Sequence, residues 1–381
     1  MTKSKLALWE ERDARIRKAL NYEPVDRVPF TFLGPAYAPM SQSVPLSRFC
    51  ADPDAALEST LDCLDELGDI EGVNMMVFGL FPVHLTNQWL SRIAIPGREL
   101  PDNDLWQVRE VEDMSVDDYD IIIDQGWEAF LGYLLPKLHQ LDLLETHNNW
   151  LAANLAGVAQ RYHERGYATL CSMITSIPFE AICGARSMGQ FFLDCYRIPG
   201  KVKAALDAAQ QFFVDVAIDV TNITGVKSVW VGGWRSASGM VSPKIWNEFV
   251  FPYLTDLVTR LHENGIFCVL HFDQNWDRDI DRLLELPRRS CAFSPDGLTD
   301  IRRAKEILGD HMAFLGDVPA SILAVGTPDD VYEYVGALIR DLGPTGLIMN
   351  SGCDIPYNSP RQNIEAFVAA THEFGTFASA P

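Results

Sequence analysis

The chain has 381 residues, 48% of them hydrophobic, with 31 Lys and Arg against 52 Asp and Glu for a formal net charge of −21. That much apolar content supports a full core, as one large barrel or as two ordinary domains. A surface this acidic repels phosphate backbones and anionic membranes, which sets aside nucleic acid and membrane as partners.

The eight cysteines (Cys50, Cys63, Cys171, Cys183, Cys195, Cys268, Cys291 and Cys353) form no CxxC and no tight cluster. Neither a disulfide framework nor a zinc ribbon is therefore expected, and a reducing cytoplasm fits. The N-terminus is charged throughout and lacks an apolar h-region, and no later stretch approaches the roughly 20 apolar residues of a membrane span, so export and insertion are both unexpected.

In chain order, Arg27 to Leu33 and Val73 to Phe78 read as early strands, with a helix over Asp54 to Leu67 between them. Trp89 to Ile95 with Leu105 to Val111 reads as a β excursion, after which the pattern resumes near Tyr167 to Ile174. The second half is more regular. Ser228 to Val231, Ile266 to Phe272, Cys291 to Phe293, Met312 to Leu315 and Leu347 to Met349 are continuous apolar runs, as strands of a parallel sheet covered on both faces should be. Ser242-Pro243 opens a helix that Gly265 closes, and Pro252 should kink it unless it is two shorter pieces. Thr327-Pro328-Asp329-Asp330 opens another that stops before Gly343-Pro344. Repeated strand and helix units without a Gly-rich dinucleotide fingerprint favour an α/β fold of the closed (β/α)8, TIM-type barrel kind over a doubly wound sheet.

Four consecutive strand ends lead into polar segments: His271-Phe-Asp-Gln-Asn-Trp, Ser294-Pro-Asp-Gly, Gly316-Asp-Val-Pro and Asn350-Ser-Gly-Cys-Asp. Barrel enzymes build their sites at this rim. His271 and Asp273 are one residue apart, so in an extended segment both project to one side and could share an ion with Cys353. Imidazole, carboxylate and thiolate are all zinc ligands, and three protein ligands with an open fourth position is the catalytic pattern. The same residues also have plainer readings: a hydrogen-bonded structural histidine, an Asp273 that caps a helix starting near Trp276, and a Cys353 that packs as a small hydrophobe.

Arg235, after the strand ending at Val231, fits either a substrate carboxylate or phenolate or a surface ion pair. Asp317 fits a general base or a hydrogen-bonded turn, the turn being favoured. Trp234, Trp276 and Tyr357 sit beside these junctions, as the lining of an apolar substrate pocket or as packing under the loops.

Arg17-Lys-Ala-Leu through Asp26-Arg-Val-Pro-Phe, Ser242-Pro243, His271-x-Asp273, Gly316-Asp-Val-Pro, Gly326-Thr-Pro, and Ser351-Gly-Cys-Asp-Ile-Pro with Asn363 together resemble the uroporphyrinogen decarboxylase superfamily. The resemblance spans nearly the whole chain and is strongest from Ser242 to Asn363. It implies a single (β/α)8 barrel domain over residues 1–381 with an N-terminal helical extension over 1–25. A true decarboxylase would carry an arginine-rich segment after the first strand for its polycarboxylate tetrapyrrole, but Val28 to Leu46 contains no Arg or Lys.

The other branch resembled is the corrinoid-linked methyltransferases, whose thiol-using members bind zinc through His-x-Cys and a distant Cys. His271 matches the histidine and Cys353 the distant cysteine, while Asp273 replaces the first cysteine. An oxygen ligand makes such a site harder, which suits polarising a methoxy oxygen better than activating a thiol.

The resemblance thus implies a methyltransferase that moves a methyl group from a small methylated donor, with a methoxylated aromatic as the expected case, to the cobalt of a cobalamin-type corrinoid carried by a partner protein. His271, Asp273 and Cys353 would hold a zinc ion, and self-association into a homo-oligomer is compatible with the sequence. The alternatives are a lyase of the decarboxylase type and a non-catalytic ligand-binding barrel.

Overall fold

The computed structural model describes residues 3–377. Its strands are β1 (Thr31–Phe32), β2 (Gly72–Met75), β3 (Arg92–Ala94), β4 (Gln107–Arg109), β5 (Ala168–Cys171), β6 (Ile174–Thr175), β7 (Ser228–Gly233), β8 (Phe267–Phe272), β9 (Cys291–Phe293), β10 (Ala313–Val318) and β11 (Leu347–Ser351). β3 and β4 form an antiparallel hairpin, a shorter version of the expected excursion. The other strands pair in parallel, in the orders β1-β2-β5 and β11-β10-β9-β8-β7-β6.

Two features join these sheets into an eight-stranded ring. β5 and β6 form one strand interrupted at Ser172-Met173, and both interrupting residues still hydrogen-bond to β7. At the other seam Phe30 bridges Met349 in parallel, and Met349 N–H donates to the Pro29 carbonyl at 2.8 Å. The fold is therefore the expected (β/α)8 barrel, with β11 beside β1.

Side-chain alternation assigns the two faces of each strand. Val269 of β8, Ala292 of β9, Ala313 and Leu315 of β10 and Ile348 of β11 belong to the interior cluster, while Cys268, Leu270, Phe314 and Met349 pack outward beneath the helices. The helix Lys5–Leu20, capped by Ser4, places Ile16, Ala19 and Leu20 in the same interior cluster and contacts β5, β10 and β11.

Below the ring, Glu71 is 1% exposed and accepts from Arg15 Nη1 and Arg27 Nε, both at 2.9 Å, and from Phe30 N–H at 2.7 Å. Arg15 in turn clasps Asp26 through two bonds of 2.7 Å. The N-terminal helix is thus tied to the first two strands by a charge network whose most buried acceptor has its bonds satisfied.

The helix opened by Ser242 runs without a break from Pro243 to Glu263, so Pro252 lies inside it as expected. A π-helical turn at Trp246–Val250 immediately precedes Phe251 and Pro252, a local widening of the kind that accommodates a proline in a helix. Thr327 and Asp330 form a reciprocal capping box at the helix Pro328–Leu342. Helices occupying most of 119–165, and those at Pro178–Arg186, Met188–Arg197 and Pro199–Thr224, are absent from the sequence reading. β10 and β11 also run beyond the expected ends, because their pairing continues through Asp317↔Asn350 to Val318↔Ser351. Asp317 is consequently a strand residue, and the favoured turn assignment is corrected.

Candidate metal centre at the barrel mouth

On β8 the inward series Val269, His271 continues into Asp273, whose N–H donates to the Gly233 carbonyl at 3.0 Å and prolongs the strand register. His271 is 2% exposed. Its Nδ1 lies 2.8 Å from the Ser294 carbonyl, which can only accept, so that nitrogen carries the proton and Nε2 faces Asp273 Oδ1 at 3.3 Å. The Trp230 ring lies against the imidazole, centroids 4.8 Å apart. β7 approaches so closely here that a Cβ on Gly232 would stand 1.9 Å from the His271 carbonyl oxygen.

The loop after β11 delivers Cys353, and the ligand atoms of His271, Asp273 and Cys353 all lie within 4.8 Å of one another. Ligand atoms around a tetrahedral zinc are about 3.4 to 3.8 Å apart, given bonds of about 2.0 to 2.3 Å, so side-chain adjustments of about 1 Å would close the set on an ion. The donor types fit zinc, and the Ser294 carbonyl supplies the outer hydrogen bond that orients a ligating histidine.

Burial opposes charge on His271, but Asp273 outweighs it through hydrogen bonding and charge, and the imidazole pKa is raised. For Asp273 burial pulls upward, while His271 and the Cys353 thiol bring its pKa below the ordinary value. Burial, with Asp273 and Asp354 beside it, raises the Cys353 thiol well above its usual range. Asp354 is lifted to about 6 by burial. Two carboxyls, a thiol and an imidazole crowded together in this way are the surroundings a divalent cation would neutralise.

Of the residues singled out from sequence, the structure brings these three together and places the others elsewhere. Arg235 is fully buried, with its guanidinium on Glu110, on Ser91 Oγ at 3.0 Å and over the Trp234 ring at 4.0 Å. The pair it forms is therefore buried on the arginine side, not a surface ion pair, and its Nη1 makes no hydrogen bond among the described residues. Trp234 is half-buried, packed edge-on to Trp89. Trp276 is 1% exposed and donates to the Phe272 carbonyl, packed on Trp246 and Phe293.

Tyr357 borders a groove with Tyr37, Cys63 and Arg361 and packs against the interior cluster. Asp317 accepts from Tyr334 Oη at 2.8 Å, and burial lifts its carboxyl to about 7. It joins β10 to the helix Pro328–Leu342 and is not a member of the His271 group.

The sequence reading missed two groups. Asp354 directly follows Cys353, and its adjacency to a candidate ligand is the signal that could have found it. Glu180 is 0% exposed and accepts the N–H groups of Trp234, Arg235 and Ser236, at 3.2, 3.1 and 2.9 Å, and the Ser236 hydroxyl at 2.7 Å. This shapes the turn after β7.

Comparison with known proteins agrees with this architecture. Residues 149–374 match the family model described as uroporphyrinogen decarboxylase (URO-D). The uroporphyrinogen decarboxylase of Pseudoalteromonas translucida (strain TAC 125) is 28% identical over 193 residues, 47% of this chain and 53% of that protein. That of Psychromonas ingrahamii is 28% identical over 42% of this chain and 46% of its own length, so the chain spans about half the length of these two relatives. That of Anaeromyxobacter dehalogenans (strain 2CP-C) is 23% identical over 95% of this chain and 99% of its own.

Among solved structures, a methyltransferase from Methanosarcina mazei superposes with a TM-score of 0.71 at 17% identity, covering 95% of this chain and 98% of its own, a likeness of fold. No helix among the described residues is long and apolar enough to cross a membrane. With the family model matching more than half of its length on a barrel of this kind, the chain belongs to the uroporphyrinogen decarboxylase family.

Proposed function

We propose that this chain is a corrinoid-dependent methyltransferase that removes the methyl group of a small methylated donor, a methoxylated aromatic, and passes it to the cobalt of a separate corrinoid protein. The observation that carries the reading is the convergence of His271, Asp273 and Cys353 at the barrel mouth. Its support against a tetrapyrrole substrate is the absence of Arg and Lys from Val28 to Leu46, since a polycarboxylate needs cationic partners.

In this reading the methyl–oxygen bond breaks, the methyl carbon bonds to Co(I), cobalt rises to Co(III), and the departing phenolate takes up a proton. His271, Asp273 and Cys353 would hold zinc, which when bound supplies a Lewis acid that makes the ether oxygen a better leaving group. The protein's own contribution is orientation: the Ser294 carbonyl fixes the His271 tautomer and Trp230 covers one face of the ring. Asp273 adds a hard anionic donor, which favours an oxygen-bearing substrate over a thiol. We read residues 1–381 as one domain, with 1–25 as its extension, and the enzyme as cytoplasmic.

Two assays test this. Protein purified without chelator should hold about one zinc per chain, lost in both His271→Ala and Cys353→Ala. It should methylate a Co(I) corrinoid from a panel of methoxyarenes, and failure across methoxyarenes, methylamines and methyl thiols removes the proposal. The names of the relatives favour a second reading, a decarboxylase. Carbon dioxide release from uroporphyrinogen without any corrinoid would establish it.

A further inference from the structure

The β3–β4 hairpin, the helix Phe81–Trp89 and the junction between the helices Trp127–Leu138 and Leu141–Asn154 border a cavity of about 290 Å³. Small-molecule pockets begin at about this size, roughly 300 Å³. Buried Val83, Ile93 and Leu138 form its floor, while Arg109 and Lys137 stand exposed at its rim beside Arg92. Three cations from three elements thus converge on one cavity in a chain whose net charge is −21.

Arg92 and Arg109 are register partners across the antiparallel hairpin, so their side chains leave the same face. Like charges placed directly opposite repel unless anions compensate them. Arg92 already has its anion, since its Nε donates to Asp113 at 2.9 Å. Arg109 and Lys137 make no ion pair among the described residues, and the Lys137 ammonium lies over the Tyr133 ring. Glu99, the one acid among the described residues of the wall, is engaged by the Ile95 N–H at 2.9 Å and by Gln140 Nε2.

We infer that this cavity binds a small organic monocarboxylate, with its carboxylate at Arg109 and Lys137 and its apolar body on the floor. A guanidinium takes a carboxylate through two parallel N–H bonds, and an ammonium adds a point charge beside it. The acidity of the whole chain does not prevent this, because exposed charges are screened over about 8 Å at physiological ionic strength and the two rim cations are the nearest. The apolar floor selects an anion with a hydrocarbon body over a bare inorganic one. None of His271, Asp273 and Cys353 lines the cavity, so the inference does not rest on methyl transfer.

Titration calorimetry of the purified chain with benzoate tests this, with benzyl alcohol and inorganic phosphate as controls. Benzoate should bind at least about tenfold more tightly than benzyl alcohol, which lacks the charge, and about fivefold more tightly than phosphate, which lacks the ring. Arg109→Gln and Lys137→Met should each weaken benzoate about three- to tenfold, and Arg109→Lys, which keeps the charge, should lose less than Arg109→Gln. Arg302→Gln removes a cation that pairs with Asp341 on another face and should change nothing. A metal ion can also take a carboxylate, so His271→Ala is titrated in parallel and should bind benzoate as wild type does. Arg109 and Lys137 are exposed, and thermal unfolding confirms that their variants fold.

No detectable heat at millimolar benzoate overturns the inference. So does benzoate binding that is indifferent to Arg109→Gln and Lys137→Met, that disappears in His271→Ala, or that either control matches.

Discussion

Trp230 and His271 stand side by side on β7 and β8 with ring centroids 4.8 Å apart and 31° between their planes, so the imidazole of the candidate metal centre is held between a tryptophan face and the Ser294 carbonyl. Trp230→Leu should leave His271 free to swing and lower zinc affinity about tenfold, in line with the loss of an outer contact on a ligating histidine. Competition with a chromophoric chelator measures this. Unchanged affinity would mean that the Ser294 bond alone orients the ring.

Asp273 is the one oxygen donor in the candidate set, beside an imidazole and a thiol. Asp273→Cys should tighten zinc by about tenfold or more, because thiolate is the softer ligand, and should reduce cleavage of a methoxyarene. Zinc titration and transfer to Co(I), measured on the same preparation, separate the two effects. A variant that bound zinc no tighter would count against Asp273 as a ligand.

Glu180 accepts three backbone N–H groups and a hydroxyl in the turn after β7. Glu180→Ala strands those donors in a buried turn beside the Arg235 guanidinium and should cost about 3 to 5 kcal/mol of folding stability. Denaturant unfolding reads the loss directly. A change below about 1 kcal/mol would show that the turn holds its shape without this carboxylate.

Burial raises the Asp317 carboxyl to about 7, above the roughly 3.9 of an unfolded aspartate. A group raised in the folded state stabilises it fully below the unfolded value, and that stability is lost as pH climbs through the folded value. Asp317→Asn should therefore gain stability relative to wild type between about pH 4 and pH 7, on the order of 1 kcal/mol per pH unit, and change little below pH 4. Parallel unfolding curves across that range test it, and a pH-independent difference would show that Asp317 is already ionised near pH 4.

The second half of the barrel is legible in the sequence because strands covered on both faces read as unbroken apolar runs, with Ser242 and Thr327 announcing the helices between them. The helices from 119 to 165 are not. They are partly exposed, they break at Gly126 and Leu138, and one carries Pro136 near its end, so no single apolar stripe persists.

At the site, His271 and Asp273 are legible because a spacing of two on a strand sets them on one face, and strand-end placement adds Cys353. Glu180 and Arg235 meet across 55 positions and Arg235 and Glu110 across 125, so their pairing is created by ring closure and leaves no local signal. The same closure removes Arg235 from the solvent that a reading of its own segment would give it.

The Phe30–Met349 seam also has a consequence for how the chain matures. While the polypeptide emerges from the ribosome, β1 can pair with β2 on one side, but its other edge stays bare until β11 arrives some 300 residues later. The last segment then fastens the first directly, as Gly375 accepts from Val28 N–H and Asp26 from Phe377 N–H. An open strand edge of that duration invites pairing with other chains, so truncations that remove β11 should accumulate as aggregates even though they retain His271 and Asp273.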